Sequence, residues 1–173
     1  NLKCIDYKTL EIPNGKKTIA IHGIPYISHD LGLENYIREI VVPKLNKKKQ
    51  NILMLHTTIP ETMDTDGRVM QTHSLGKDFI ELITENFDLI TTGHIHKPMV
   101  LNKNIIQVGA TNQQRKTDRD CDMGYWEIYS DLSFKFISIK SAKFIKLDSS
   151  EEAPDKLNYY YKENQTTRVD IES

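Results

Sequence analysis

Apolar positions along this chain switch between two periods, and the switches mark its elements. The stretch "CIDYKTLEIPNGKKTIAIHGIPY", residues 4–26, alternates apolar and polar on both sides of Asn14-Gly15. That pattern predicts a hairpin turning at this pair, with a second strand over Thr18–Ile21. "ENYIREIVVPKL", residues 34–45, has helical spacing that Pro43 should close near Val42. "NKKKQ" follows as a solvated loop, and "NILMLH", residues 51–56, is a short apolar run of the kind buried in a parallel sheet. In "SLGKDFIELITENF", residues 74–87, Leu75, Phe79, Ile80, Leu82, Ile83 and Phe87 predict an amphipathic helix. "DLITT", residues 88–92, is the next buried strand, and "MVL" and "IIQV" predict a hairpin across "NKN". Residues 109–123 read as a polar loop. "GYWEIYSDLSFKFISIK" then predicts two strands around a turn at Ser130–Leu132.

The order is strand, helix, strand, helix, strand, then several antiparallel strands. It predicts a mixed α/β sandwich rather than a doubly wound sheet. Beyond Ser141 the pattern weakens: "SSEEAPDK" reads as a linker, "LNYYYKENQ" is ambiguous and "TTRVDI" offers one more strand. The expected division is therefore a domain over 1–140, then a linker with the start of an appended segment over 141–173.

Composition narrows the class. With 173 residues, 38% hydrophobic and 27% charged, the chain has the make-up of one globular domain with a small appendage. No apolar run approaches the roughly 18 residues that a membrane span needs, and no signal-peptide pattern opens the chain. The first residue is Asn, so a processed chain or a piece of a longer polypeptide is expected. Cys4 and Cys121 form no Cys-x-x-Cys, which predicts reduced thiols and a cytoplasmic location. A formal net charge of −1 gives no overall footprint for nucleic acid, so any DNA contact must come from local basic segments or other chains.

The candidate chemistry lies in "TTGHIHKP", residues 91–98. Along extended backbone, residues two apart point to one side, which would aim His94 and His96 into one pocket and Ile95 into packing. Gly93 allows close approach at that point. Strand ends are where α/β proteins hold ligands, and His56 closes the apolar run "NILMLH". If the two runs are parallel neighbours, three imidazoles meet at one sheet edge, a donor set for zinc, manganese or iron. For each histidine taken singly, a hydrogen-bonded structural role is the competing explanation. His22 reads as structural, and His29 and His73 as surface residues.

"NILMLH" followed by "GHIH" resembles the last two motifs of the calcineurin-like metallophosphoesterases. "IAIHGIPY", "DLITTGHIHKP" and "IIQVGATNQQRKTDRDCDMGYWEIYSD" are similar to segments of the SbcD/Mre-type DNA repair nucleases in that superfamily, over roughly residues 10–140. The resemblance implies an α/β fold, the metallophosphoesterase-type sandwich of two mixed sheets flanked by helices, of which this chain is the C-terminal part. It implies two divalent metal ions, expected to be manganese, with His56 and His94 on one and His96 on the other. It also implies metal-assisted hydrolysis of DNA phosphodiesters, with DNA as substrate and an SbcC/Rad-type ATPase subunit as partner. A homodimer is left open, and no membrane is involved.

The family pattern also requires Asp-x-His, Gly-Asp and Gly-Asn-His motifs, none of which this sequence contains. A bridging Asp, an Asn ligand and a His beside the leaving group are therefore absent, and no catalytic residue is assigned. The N-terminal half of the nuclease domain, on the same or a separate chain, would have to supply them, so this chain alone is expected to be inactive. Among the basic clusters, "KLNKKK" and "KSAKFIK" read as solvated faces. In "QQRKTDRD", Arg115, Lys116 and Arg119 are candidates for contacting the DNA backbone, with Gln113 and Gln114 as sequence-neutral donors and Asp118 and Asp120 diluting the charge. Two other readings stay open. One is a calcineurin-like phosphatase or phosphodiesterase acting on a small molecule or phosphoprotein; the other is a non-catalytic interaction module that keeps the fold.

Overall fold

The computed structural model describes residues 6–27, 30–59, 62, 67, 76–147 and 167–171. Cys4, His29, His73 and Leu75 lie outside these residues. The described strands of the main sheet are β1 (Lys8–Asn14), β2 (Lys17–Ile24), β3 (Gln50–His56), β4 (Leu89–Gly93), β5 (Met99–Asn102) and β6 (Ile105–Gln107). They form one six-stranded mixed sheet in the order β1-β2-β3-β4-β6-β5. The four inner strands are parallel, and β1 and β5 run antiparallel along the edges. Parallel strands need cover on both faces, which is why "NILML" and "DLIT" are written as near-continuous apolar runs.

Helix α1 (Asp30–Tyr36) crosses from β2 to β3, and α2 (Lys77–Asn86) leads into β4. Leu33, Ile37, Phe79, Ile83 and Phe87 pack against Ile24, Leu53, Leu55, Ile90 and Ile105 of the sheet, forming the buried core. The helix expected from residue 34 to Val42 begins earlier and changes character. After Tyr36 a π turn runs over Ile37–Val41, then a 3₁₀ turn over Val42–Lys44. The Val42 N–H reaches back five residues to the Ile37 carbonyl. Pro43 accounts for this: it has no N–H to donate and its ring crowds the carbonyl four residues back, so the last turns abandon the α spacing.

The hairpin at the N-terminal side turns one residue later than expected. Asn14 pairs with Lys17, so Gly15 and Lys16 form the loop. Asn14 instead uses its side-chain amide to donate to Gln50 Oε1 at 3.0 Å and to the Ser130 carbonyl at 2.7 Å. That ties the hairpin to β3 and to the turn after β7 (Gly124–Ile128).

A sandwich of two mixed sheets does not form among the described residues. In place of the second sheet stand two ribbons. Strand β7 pairs antiparallel with β8 (Phe134–Ser138), and β9 (Lys143–Leu147) pairs parallel with β10 (Thr167–Ile171). No third described strand pairs with either ribbon. The expected hairpin around Ser130–Leu132 is β7–β8, closed by aromatic packing of Trp126 on Phe134 and Phe136. The strand expected in "TTRVDI" is β10. No helix of the described residues is long and apolar enough to cross a membrane.

Candidate metal centre

Strands β3 and β4 are neighbours and parallel, with His56 opposite Gly93 in the register. Their C-terminal ends therefore lie at one sheet edge. The His56 and His94 rings meet there edge to face, with centroids 5.4 Å apart and planes at 79°. Gly93 makes room for this. A Cβ built on it would lie 3.3 Å from His56 Nδ1, so a side chain at 93 would press on the ring.

The route by which the histidines gather differs from the expectation. Strand β4 ends at Gly93, and His94 takes a positive φ of 98° instead of continuing the strand. The side-to-side geometry of an extended His94-x-His96 therefore does not apply. A non-glycine residue at such a φ costs of order 1–3 kcal/mol, and strain of this kind concentrates at functional sites. The bend aims His94 at His56 on the neighbouring strand. Ile95 is buried, as expected for the residue between the two histidines.

His96 faces a different partner. Its Nδ1 lies 2.9 Å from Asp118 Oδ2, and the Asp118 side chain is only 1% exposed. The same oxygen accepts the backbone N–H groups of Gln114 at 2.9 Å and Arg115 at 3.0 Å, while the other, Oδ1, is buried with no hydrogen-bond partner among the described residues. Burial alone would raise the Asp118 pKa. The Gln114 amide, the His96 ring and the Arg115 amide outweigh it and hold the carboxyl below its ordinary value. Asp118 thus corrects the sequence reading, in which it only diluted the loop's charge. It was missed because it stands 22 residues after His96, a separation with no local periodicity to reveal it.

Tyr26 was also missed as a site residue. Exposed at the end of the segment after β2, it stacks on His94 with centroids 6.4 Å apart and meets His56 edge-on at 6.1 Å. The signal was available: Tyr26 follows a third parallel strand that ends at the same edge. His94 has its pKa lowered, first by partial burial and then by the nearby His56, Arg115 and His96.

The loop candidates separate. Arg115 and Lys116 are exposed and Arg119 is half-buried. Lys116 and Arg119 lie in a 3₁₀ turn, Lys116–Asp120, inside the expected polar loop. Gln113 is not a free donor: it is 2% exposed, its amide donates to the Arg119 carbonyl at 2.9 Å, and its oxygen accepts the Phe144 N–H at 2.6 Å. His22 has partners on both ring nitrogens, Thr9 Oγ1 at 3.0 Å and Asn51 Oδ1 at 3.2 Å.

Two imidazoles bonded at about 2.0–2.1 Å to one tetrahedral ion have ring centroids roughly 5 Å apart. The His56–His94 pair fits that demand. Among the described residues, no three His, Cys, Asp or Glu side chains are gathered closely enough to hold one ion. The donors divide into His56 with His94, and His96 with Asp118.

No family model matches this chain, and no curated protein matches it. It bears a distant likeness to the crystal structure of a Staphylococcus aureus protein assigned as a 5′-nucleotidase, with 13% sequence identity and a TM-score of 0.38. The likeness covers 75% of this chain and 28% of the other, so the chain spans less than a third of that protein.

Proposed function

We propose that this chain contributes the histidine side of a two-metal phosphodiesterase centre acting on DNA, in the manner of an SbcD-type nuclease. The observation that carries the reading is the His56–His94 pair at the ends of two parallel strands, held by a strained backbone at His94. Strain of that kind persists only where surrounding structure enforces it. His56 and His94 would hold one divalent cation, expected to be manganese, and His96 a second. Such ions, when bound, neutralise charge developing on phosphoryl oxygens. Arg115 lies close enough to His94 to depress its pKa, so a fixed positive charge stands beside the pair, where a phosphate would be drawn.

A second polypeptide layer would complete the centre with carboxylates. Met54 supports this: it lies on β3, two residues before His56 and on the same face, yet is 40% exposed on an inner parallel strand. The N-terminal half of a nuclease domain is the proposed occupant, and an ATPase subunit of the SbcC/Rad type the proposed partner of the assembly.

The test is manganese binding by calorimetry to the wild type, His56→Ala and His94→Ala, followed by cleavage of DNA and of a small phosphodiester by the assembled protein. Loss of binding in both variants and preference for DNA support the reading. Unchanged binding in both variants rejects the centre. Equal or better turnover of the small ester moves the assignment to a small-molecule phosphoesterase.

A further inference from the structure

We propose that Asp118 is the positioning residue for His96, holding its imidazole with the proton on Nδ1 so that Nε2 keeps the lone pair a cation requires. The idea extends the metal-centre reading, and rests on it for the role of Nε2.

The argument is one of hydrogen-bond capacity. Asp118 Oδ2 already accepts two backbone N–H groups, from Gln114 and Arg115, so it has no proton to offer. The proton in the 2.9 Å contact with His96 must then sit on the ring nitrogen. A neutral imidazole carries one N–H, so placing it on Nδ1 leaves Nε2 as the acceptor. Metal-binding histidines commonly donate their other N–H to a carboxylate, which fixes the ring's orientation and raises its basicity. Burial adds a second reason. A buried carboxylate whose second oxygen has no partner among the described residues is costly unless positive charge lies beside it. A cation on the far side of His96 would supply that charge through the ring. The amides that fix Asp118 belong to Gln114 and Arg115, so the contact also couples His96 to the loop carrying Arg115.

The experiment uses the whole chain with ¹⁵N-labelled histidine, read by long-range ¹H–¹⁵N spectra near pH 8, where free imidazoles are neutral. His96 in the wild type should show the Nδ1–H tautomer. Asp118→Ala should shift it toward Nε2–H, and Asp118→Asn, whose amide oxygen can still accept, should retain Nδ1–H. Manganese affinity for the ion assigned to His96, measured on the same samples apart from the His56–His94 ion, should fall roughly tenfold to a hundredfold in Asp118→Ala. A wild-type spectrum showing Nε2–H overturns the proposal, and it needs no variant to fold. An Asp118→Ala chain with an unchanged tautomer, or with lower stability but unchanged manganese affinity, also overturns it, because Asp118 would then be a loop staple only. A wild type that shows Nδ1–H and binds no manganese sinks the metal-centre reading while leaving Asp118 as the group that sets the tautomer.

Discussion

Gly109 stands at φ 74° with its hydrogen facing the loop that carries His96. A Cβ there would lie 2.8 Å from the Pro98 nitrogen, 2.9 Å from its ring carbon and 3.0 Å from the His96 carbonyl. That carbonyl also accepts the Ala110 N–H at 3.0 Å, so the two segments are already pinned together. Backbone atoms cannot step aside as a flexible side chain can. Gly109→Ala should therefore destabilise the fold by about 2 kcal/mol or more, from strained φ plus overpacking, read as a lower denaturation midpoint at unchanged slope. His22 gives a second residue-scale prediction. Its pKa is lowered, chiefly by burial, with Lys49 adding to the effect and Asn51 and Glu11 opposing it. The folded state therefore takes up a proton less readily than the unfolded chain, whose value is near 6.5. Stability from this residue is full above about pH 6.5 and declines as pH falls from there toward the lowered folded value. Unfolding measured at pH 7.5 and 5.5 should show a smaller pH penalty in His22→Gln than in the wild type. An equal penalty would mean that other groups carry it.

At the scale of elements, the loop between β6 and β7 is built more firmly than its polar sequence suggests. Gln113 bridges the 3₁₀ turn and the Phe144 amide of β9 from a buried position, so the chain stays fastened to the site loop beyond residue 140. Gln113→Ala would leave the Arg119 carbonyl and the Phe144 N–H without this partner, at a cost of roughly 1–3 kcal/mol. Hydrogen exchange at the Phe144 amide should accelerate before exchange in β3 or β4 does. Equal acceleration everywhere would mean that Gln113 stabilises the fold as a whole. Strands β3 and β4 were legible because burial on both faces writes itself as a continuous apolar run. The β5–β6 and β7–β8 hairpins were legible because short polar turns separate alternating segments. The π turn was not, because it results from Pro43 acting on carbonyls earlier in the helix. The His96–Asp118 contact was not legible either, since only the folded path of the loop brings the two together. His56 and His94 were legible as a pair through the parallel strand ends, although the bend at His94 achieves the meeting by a different geometry.

For the whole molecule, the sheet edge gathers histidines, a tyrosine and an arginine-bearing loop, but the described residues place Asp118 as the carboxylate in contact with a site histidine, and its bonded oxygen is already spent on the ring and two amides. A centre with this donor set should bind divalent cations weakly and fix no nucleophile. The pure chain is therefore expected to hydrolyse phosphodiesters poorly, and activity should rise only when a polypeptide supplying acidic ligands is added. Robust manganese-dependent cleavage by the chain alone would contradict this. This chain's own net charge of −1 leaves any DNA attraction it contributes to an assembled protein to local groups. Arg115 is exposed beside His94, and Arg119 follows in the 3₁₀ turn that Arg115 caps, so both lie on the loop that Asp118 fastens to His96. Arginine's planar fork can bind two phosphate oxygens at once. Each phosphate contact releases counterions, so its loss reduces the dependence of affinity on salt. Changing Arg115 and Arg119 together to Ala should weaken DNA binding and flatten the slope of log affinity against log salt by about one unit per lost contact. If affinity and slope stay as in the wild type, the loop does not touch the DNA backbone, and a small phosphoester becomes the better substrate for this edge.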